Sequence, residues 1–217
     1  DAVEMLAQHI ITKPVFETLF VGNKFTQDNP ISKAMEKVLY DVYDPNEINK
    51  EDTLQRFYLS IKRRSEGIMS SKGKNTLINE LYERFFKNAF PLTVQKLGIV
   101  YTPIEAVDFI IHSVEWILKK TFNKSLGSEK VNILDPFAGT GTFICRLLQT
   151  GVIPKDKLRK KYSNEIHSNE IILLAYYIAG INIETVYQEI MKENQYLEYK
   201  GNVLTDTFQL YEQDRDM

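Results

Sequence analysis

The sequence predicts an α/β fold with a parallel sheet, preceded by a helical domain. A short apolar, β-branched run at residues 131–134 is typical of a buried parallel strand. A glycine-rich loop follows at residues 139–141, and apolar residues then recur at helical spacing from 143 to 148. Residues 1–95 show helical periodicity and no glycine-rich loop, which predicts a separate helical part.

The strand and loop read V-N-I-L-D-P-F-A-G-T-G-T-F-I over residues 131–144. Pro136 ends the strand after Asp135, because proline cannot donate to a sheet ladder. Gly139 and Gly141 permit a tight turn and a close approach of the backbone to a ligand. A strand, a glycine loop and a helix in this order hold nucleotide-like ligands in doubly wound folds.

The residues around the loop narrow the choice of ligand. A phosphate loop needs Lys-Ser/Thr after its glycines, whereas Gly141 is followed by Thr142-Phe143. A dinucleotide loop needs a small residue where Ile144 stands, so a nicotinamide-dependent enzyme ranks low. Asp135 would repel a pyrophosphate but suits an ammonium group, and S-adenosylmethionine carries one. An ordinary strand–helix turn is the alternative.

A helix start is predicted ahead of the strand. Thr102 would cap it, Pro103 would take the first helical position, and Glu105 would complete a capping box. An apolar stripe facing the core is predicted at Ile104, Val107, Ile111, Val114 and Leu118. The free amides at this helix start would suit the carboxylate of an amino-acid ligand.

A second strand is predicted at residues 161–166, ending in an acid. Glu165 follows Gly141 by 24 residues, close to where doubly wound folds place a carboxylate for ribose hydroxyls. Ile166 would then offer an apolar wall for a base. The alternative for Glu165 is a solvated, helix-capping glutamate.

The last part of the chain predicts a further helix and strand. The helix begins at Ile171, ends at Gly180, and is followed by helical residues 184–194. A third strand is predicted at residues 199–204. Asp206 lies just past it, where the ligand crevice of an open α/β sheet is expected.

The first part of the chain predicts several short helices. Pro14 is expected to begin a second helix, and Asn29-Pro30 to break the chain before a helix capped by Ser32 or its neighbours. A strongly amphipathic stripe lies within residues 77–86. These features favour a helical bundle or linker.

Composition excludes several classes of protein. The chain has 217 residues, 43% of them hydrophobic, and a net charge of −2, which does not indicate a strongly basic nucleic-acid-binding module. Basic clusters at residues 62–64 and 155–161 are interpreted as solvated helix faces. The single cysteine, Cys145, fits a buried inert thiol and a reducing cytoplasm. The sequence shows no metal-ligand spacing, signal peptide or membrane-spanning run.

Three motifs together resemble the ordered motifs of N6-adenine DNA methyltransferases. They are Tyr-Thr-Pro at residues 101–103, D-P-F-A-G-T-G-T-F at 135–143 and Asn-Glu-Ile at 164–166. Their order is similar to the γ arrangement of type I and related restriction–modification enzymes. The strings G-I-V-Y-T-P at residues 98–103 and V-L-T-D-T-F-Q-L at 203–210 resemble the single-polypeptide Type ISP group, also called predicted helicases.

This resemblance covers essentially the whole chain and implies its domains. Residues 96–217 would be the N-terminal half of a Rossmann-like, S-adenosylmethionine-dependent methyltransferase core, and residues 1–95 a helical coupler. The resemblance implies these cofactor-binding positions: Tyr101, Thr102, Pro103, Asp135, Pro136, Phe137, Ala138, Gly139, Thr140, Gly141, Thr142, Phe143, Glu165, Ile166 and Asp206.

The resemblance also implies roles for these positions. Thr102 and Pro103 would hold the methionine carboxylate, and Asp135 would lie near the ammonium group. Glu165 would accept from the ribose hydroxyls, with the neighbouring isoleucine against the adenine. Asp206 would accept from the amino group of the cofactor adenine, and Asn202 competes for that role.

The catalytic Asn/Asp-Pro-Pro-Tyr/Phe motif of these enzymes is absent from the sequence. Asn29-Pro30 is followed by isoleucine and Asp135-Pro136 by phenylalanine, so neither can replace it. That motif would hydrogen-bond the flipped target adenine. We therefore expect a cofactor-binding fragment of an adenine-specific DNA methyltransferase, inactive alone, with DNA as the substrate and motor and nuclease domains upstream on the same polypeptide. The alternatives are a methyltransferase with another acceptor and a helical interaction module with a degenerate nucleotide fold.

Overall fold

The chain divides into two compact units, Asp1–Ala89 and Phe90–Met217. The structure, a computed structural model, describes residues 2–19, 28–42, 52–68, 73, 76–77, 80, 82, 102–192 and 196–209. Most of the predicted stripe at 77–86, and Tyr101, lie outside these described residues.

Three long helices are described in the first unit. They are α1 (Ala2–Leu19), α2 (Pro30–Val42) and α3 (Asp52–Ser65). The prediction that a new helix begins at Pro14 is wrong, because α1 continues through this residue. Proline lacks the N–H that would bond the carbonyl of Ile10. The hydroxyl of Tyr58, on α3, donates to that carbonyl instead at 3.3 Å, which explains how the helix tolerates the proline.

The predicted break at Asn29-Pro30 is confirmed, and it starts α2. The Asn29 side chain is the cap: its Oδ1 accepts from the amides of Ile31 and Ser32, both at 3.0 Å. An asparagine in this position satisfies amides that have no partner within the helix. Proline follows at the first helical position, where its missing N–H costs nothing.

The second unit combines helices with a small parallel sheet. Its elements are α4 (Ile104–Phe122), β1 (Ile133–Asp135), α5 (Thr142–Gln149), α6 (Lys155–Asn164), β2 (Ile166–Glu170), α7 (Leu173–Met191) and β3 (Asn202–Leu204). The three strands are parallel in the order β1-β2-β3. Ile133 pairs with Ile166, and Ser168 with Asn202. The predictions of a first and a third strand are confirmed.

The predicted second strand at residues 161–166 is wrong. Residues up to Asn164 belong to α6, whose buried residues Leu158 and Tyr162 lie one helical turn apart. The strand begins at Ile166, and its residues alternate between buried and partly exposed as far as Glu170. The predicted helix end at Gly180 is also wrong, because α7 runs through this residue to Met191.

The core of the second unit is built around α7, which is buried along most of its length. Tyr162 of α6 stacks on Tyr187 of α7 with 3.8 Å between ring centroids. The carboxylate of Glu184 is fully buried and accepts from the Tyr196 hydroxyl at 3.0 Å and the Tyr199 amide at 3.1 Å. This buried charge is therefore hydrogen-bonded, as a stable core requires.

The start of α4 differs from the predicted capping box. The helix has no side-chain cap, and Thr102 is exposed. The apolar stripe is only partly confirmed: Val107 and Ile111 are buried, whereas Ile104 is 52% exposed. Val114 is likewise exposed. In the described part of the chain, no helix is both long and apolar enough to cross a membrane.

Candidate functional site

Acidic residues gather where the parallel strands end. Asp135 is the last residue of β1, Glu170 is the last residue of β2, and Asp206 follows β3 by two residues. Because parallel strands run in the same direction, these ends lie along one edge of the sheet. Open α/β sheets bind their ligands in the crevice outside this edge. The candidate site is therefore this carboxyl edge.

The two carboxylate oxygens of Asp135 have different surroundings. Its Oδ1 accepts from the amide of Phe137 at 3.2 Å. Its Oδ2 is buried and has no hydrogen-bond partner within the described residues. Burial raises the pKa of this carboxyl, and the Phe137 amide offsets only part of that effect. A buried carboxylate oxygen without a donor is costly, so a ligand cation or N–H would stabilise it.

The glycine turn is formed by residues that need positive φ. Gly139 has φ +55° and Gly141 has φ +83°, both in the left-handed region. A Cβ on Gly141 would lie 3.1 Å from the Cα of Ala179, so this glycine lets the turn pack on α7. A Cβ on Gly139 would meet no atom of the described residues within 4 Å. Open space therefore lies beside Gly139, at the place where a ligand would approach the loop.

Polar groups from other elements fix this turn. Asn182, on α7, donates from Nδ2 to the carbonyl of Thr140 at 3.0 Å. The Ala138 amide donates to the carbonyl of Asn169 in β2 at 2.9 Å. The loop is thus held on both sides before any ligand binds, which lowers the entropy cost of binding.

Glu170 is a site residue that the sequence analysis missed. It is buried, its Oε2 accepts from the Gly139 amide, and its Oε1 accepts from the Ile172 amide, both at 2.8 Å. Burial raises its pKa, and the nearby charge of Asp135 raises it further, while the backbone donors lower it. An ionised carboxylate has about four lone-pair sites, so this one retains capacity for a ligand hydroxyl.

The prediction that placed Glu165 and Ile166 at the crevice is contradicted. Glu165 precedes β2, at the amino end of the sheet, where its carbonyl accepts from the Ile133 amide at 2.8 Å. Its carboxylate accepts from the Lys130 amide at 2.9 Å and pairs with Lys161 Nζ at 2.8 Å. Ile166 is 1% exposed and belongs to the core, so it cannot form a wall for a ligand.

Lys161 also departs from its predicted role. The basic cluster predicts a solvated face for this side chain, yet it is 2% exposed. Its ammonium donates to the carbonyl of Val131 at 2.6 Å and pairs with Glu165. Lys161 and the Lys130 amide hold the pKa of the Glu165 carboxyl below its usual value. This ion pair fixes the entry into β1 and is structural.

A repeated triplet explains the error over Glu165. Asn-Glu-Ile occurs at residues 164–166 and again at 169–171. Only the second triplet ends a strand. Its isoleucine, Ile171, is 49% exposed beside Glu170, which suits an apolar wall. The alternation of buried and exposed residues in I-H-S-N-E was the signal that could have distinguished the two.

The structure also separates Asp206 from its competitor. Asn202 is buried, its Oδ1 accepts from Ser168 Oγ, and its Nδ2 donates to the Tyr176 carbonyl, both at 2.9 Å. Its side chain is therefore committed to the core. Asp206 is only partly buried, and its Oδ1 accepts from the amide of Phe208 at 3.0 Å. Of the two, Asp206 is the one that a ligand could reach.

The remaining predicted positions differ in exposure. Thr102 and Pro103 are exposed ahead of α4, and Tyr101 lies outside the described residues. Ala138 and Thr140 are buried, while Pro136, Thr142 and Phe143 are partly exposed. The ring of Phe137 is 62% exposed, with its centroid 5.4 Å from that of Phe208.

An apolar groove of about 470 Å³ adjoins Asp135. It is lined by α4, β1 and α5, with Ile110, Val114 and Phe143 among its residues. Asp135 is the charged residue in its lining. Cys145 is not a candidate nucleophile, because burial raises the pKa of its thiol to about 12. Among the described residues, His, Cys, Asp and Glu form no group that could hold a metal ion.

The comparison with protein families concerns the first unit. Residues 1–73 match the family described as "Type ISP restriction-modification enzyme, coupler domain". The first unit therefore carries a Type ISP coupler region. No curated protein matches the chain.

Three solved structures extend the similarity to nearly the whole chain. A nuclease-deletion mutant of the Type ISP enzyme LlaGI, in complex with a DNA substrate mimic, is 45% identical over 98% of the chain, with a TM-score of 0.82. The ATP-dependent Type ISP enzyme LlaBIII, bound to DNA, is 48% identical over 94%, with a TM-score of 0.81. The DrdV–DNA complex is 38% identical over 95%, with a TM-score of 0.85.

The chain spans only a small part of these relatives. It covers 18% of the LlaGI chain, 14% of the LlaBIII chain and 20% of the DrdV chain. The similarity thus includes the coupler region and the unit that contains the three-stranded sheet. The motif strings at residues 98–103 and 203–210 predict the same Type ISP group.

Proposed function

We propose that the second unit is the cofactor-binding part of an S-adenosylmethionine-dependent, adenine-specific DNA methyltransferase within a Type ISP restriction–modification polypeptide. One observation carries this proposal. The buried Asp135 Oδ2 lacks a donor within the described residues, and it lies at the carboxyl edge of the sheet, in the strand that leads into an open, positive-φ glycine turn. A ligand with an ammonium group would supply the missing donor.

The chemistry of the edge fits S-adenosylmethionine better than a dinucleotide. Asp135, Glu170 and Asp206 would repel a pyrophosphate, whereas the cofactor presents an ammonium, a sulfonium and neutral hydroxyls. Asp135 would accept from the ammonium. Glu170, in place of Glu165, would accept from the ribose hydroxyls with its remaining lone pairs.

Apolar groups at the same edge suit the adenine. Ile171 and Phe137 are both about half exposed or more, and Asp206 lies past the end of β3. An aromatic or aliphatic face can stack on the base, and a carboxylate can accept from its amino group. The edge therefore offers complementary groups for each part of the cofactor.

When bound, the cofactor supplies an activated methyl group on its sulfonium. The chain itself would bind and orient this group and exclude water from it. The sequence has no Asn/Asp-Pro-Pro-Tyr/Phe motif, so we expect these 217 residues alone not to methylate DNA. The acceptor adenine would be held elsewhere in the polypeptide.

The comparisons support DNA as the partner. Similar solved chains are described in complexes with DNA, and two of them as Type ISP restriction–modification enzymes. The first unit would then couple the methyltransferase to other domains of the same polypeptide, as its family description suggests. The net charge of −2 agrees with DNA contacts made mainly by other parts of the protein.

Calorimetric titration with S-adenosylmethionine tests the proposal, using this chain and the full polypeptide. Asp135→Asn should weaken binding at least tenfold, because the ammonium loses a charged partner. Asp156→Asn, which changes an exposed acid on α6, should leave affinity unchanged. Failure of the full polypeptide to bind, or equal affinity of Asp135→Asn, would refute the proposal. Tighter binding of NAD than of S-adenosylmethionine would indicate a dinucleotide site.

A further inference from the structure

We propose that Thr207 is a positioning residue that ties the segment after β3 to the glycine loop and thereby sets affinity for the adenosine half of the ligand. This inference rests on the proposed function. In that function Thr207 would contact none of the atoms that react. Its hydroxyl is instead the link between three chain segments at the carboxyl edge of the sheet.

The Thr207 hydroxyl bridges residues that are far apart in the sequence. Its Oγ1 donates to the carbonyl of Pro136, 71 residues away, at 2.6 Å. The same oxygen accepts from Nδ2 of Asn169, 38 residues away, at 3.3 Å. A hydroxyl suits this position because it donates one hydrogen bond while it accepts others. No aliphatic side chain of the same shape could do both.

Asn169 connects the bridge to the glycine loop. Its side chain donates to Thr207, and its carbonyl accepts from the Ala138 amide at 2.9 Å. Pro136 and Ala138 are the residues directly before and after Phe137 in the sequence. The bridge therefore restrains the first residues of the loop from two sides.

The neighbours of Thr207 are the groups that would meet an adenosine. Asp206 Oδ1 accepts from the Phe208 amide at 3.0 Å, which fixes a turn around Thr207. The Phe208 ring centroid lies 5.4 Å from that of Phe137 on the facing loop. Phe208 is 81% exposed, so burial alone does not hold this segment. The hydroxyl bridge, together with the Thr205 amide that donates to the Glu170 carbonyl at 2.9 Å, keeps Asp206 and the two rings in place.

Two variants isolate the hydroxyl from the shape of the side chain. Thr207→Val removes the hydroxyl with little change in shape, and Thr207→Ser keeps it. Thr150→Val is the matched control, because Thr150 Oγ1 donates to the Leu147 carbonyl at 3.0 Å, in a hydrogen bond within one helix turn. All variants are made in the full polypeptide and titrated with S-adenosylhomocysteine and with adenosine.

We expect Thr207→Val to bind both ligands about tenfold more weakly, since both hydrogen bonds of the partly buried hydroxyl are lost at the adenosine side. The affinities of Thr207→Ser and of Thr150→Val for both ligands should stay within about twofold of the wild-type values. Asp135→Asn should weaken S-adenosylhomocysteine but not adenosine, which has no ammonium group. This contrast separates the two ends of the crevice.

Each other outcome overturns a specific statement. If the wild type binds and Thr207→Val binds equally well, the positioning role is wrong and the proposed function stands. If Thr207→Ser binds the ligands as weakly as Thr207→Val does, the shape of the side chain matters and the hydroxyl does not. If the wild type binds neither ligand, both proposals fail. Should Thr207→Val fail to fold, Asn169→Ala removes the donor to Thr207 Oγ1 and leaves the bond to the Pro136 carbonyl. We then expect a smaller loss of affinity for both ligands, about threefold, and an unchanged affinity would contradict the positioning role.

Discussion

The amide of Gly139 donates a 2.8 Å hydrogen bond to Oε2 of Glu170, 31 residues further along the chain. The other oxygen of this carboxylate accepts from the Ile172 amide, immediately before α7. One side chain thus joins the glycine turn, the end of β2 and the approach to the most buried helix. Ligand binding and loop geometry should therefore depend on the same residue.

Glu170→Gln and Glu165→Gln should separate a site residue from a structural one. The Glu170 variant replaces one acceptor oxygen by an NH₂ group, so a loop or helix amide loses its partner. We expect it to lose about 1–2 kcal/mol of stability and at least tenfold in affinity for S-adenosylmethionine. The Glu165 variant changes contacts at the amino end of the sheet, with Lys161 and the Lys130 amide, so it should lose stability and keep affinity.

Two measurements check this pair of variants. Unfolding of the second unit can be followed through Trp116, the single tryptophan of the sequence, and affinity by calorimetry. An affinity loss in Glu165→Gln as large as that in Glu170→Gln would contradict the assignment. It would also favour the sequence-based prediction that Glu165, in the first Asn-Glu-Ile triplet, accepts from the ribose hydroxyls.

The contrast between β1 and β2 shows what the sequence could predict. Around β1 the signals are local: an apolar run, a proline that ends it, and two glycines with positive φ. Around β2 the signals are not local. The preceding helix, α6, has few apolar residues, so the sequence of its last residues is also compatible with the start of a polar strand. Tertiary contacts hold this helix: Leu158 and Tyr162 are buried, and Lys161 donates to the Val131 carbonyl, 30 residues away. Sequence periodicity carries no information on such a contact.

The same limit applies to the site. Gly139 and Gly141 were predictable because positive φ favours glycine at that turn, and Asp135 because it ends the strand directly before them. Glu170 and Thr207 were not, since their importance comes from hydrogen bonds between segments far apart in the chain. The helix through Pro14 is a similar case, because a tyrosine hydroxyl from another helix occupies the carbonyl that the proline leaves free.

The two glycines of the turn should respond differently to alanine. Both substitutions place a Cβ at positive φ, which costs about 1 kcal/mol. In Gly141→Ala the Cβ also meets the Ala179 Cα at 3.1 Å and the Ile183 side chain at 3.2 Å. We expect a total loss of about 2–3 kcal/mol there, as in other overpacked cores.

Gly139→Ala should instead weaken ligand binding. In the part of the chain that the structure describes, its Cβ meets no atom within 4 Å and occupies the open space beside the turn. For each glycine variant, unfolding monitored by Trp116 fluorescence gives the stability, and calorimetric titration gives the affinity for S-adenosylmethionine. If Gly139→Ala binds S-adenosylmethionine like the wild type, the ligand does not approach the loop at this residue.

Asp135→Asn should stabilise the fold while it weakens binding. Burial raises the folded-state pKa of Asp135, so the ionised form costs stability above that pKa, and the cost disappears as pH falls through it. We expect the variant to be about 1 kcal/mol more stable than the wild type at pH 7. The difference should shrink towards zero near pH 3. Urea titrations at several pH values measure it, and an equal or lower stability of the variant at pH 7 would contradict the assigned burial cost.

His9 should make the first unit sensitive to acid. Burial lowers its pKa from 6.5 to about 4, with Glu36 raising it and Lys13 lowering it. Since the folded-state pKa lies below the unfolded one, the unfolded chain takes up a proton first as pH falls. The stability that the neutral His9 ring provides is therefore fully present above about pH 6.5, and it is lost progressively as the pH falls to about 4.

We expect His9 to contribute about 2 kcal/mol to this loss, somewhat less than the full shift implies. His9→Gln should remove that part of the pH dependence, whereas His112→Gln, an exposed histidine on α4, should not. Urea unfolding followed by helical circular dichroism reports both units, and Trp116 fluorescence reports the second alone. The difference between wild type and His9→Gln should appear in the dichroism transition, which includes the helices of the first unit. The same pH dependence in both proteins would show that the His9 ring is protonated as easily in the folded state as in water.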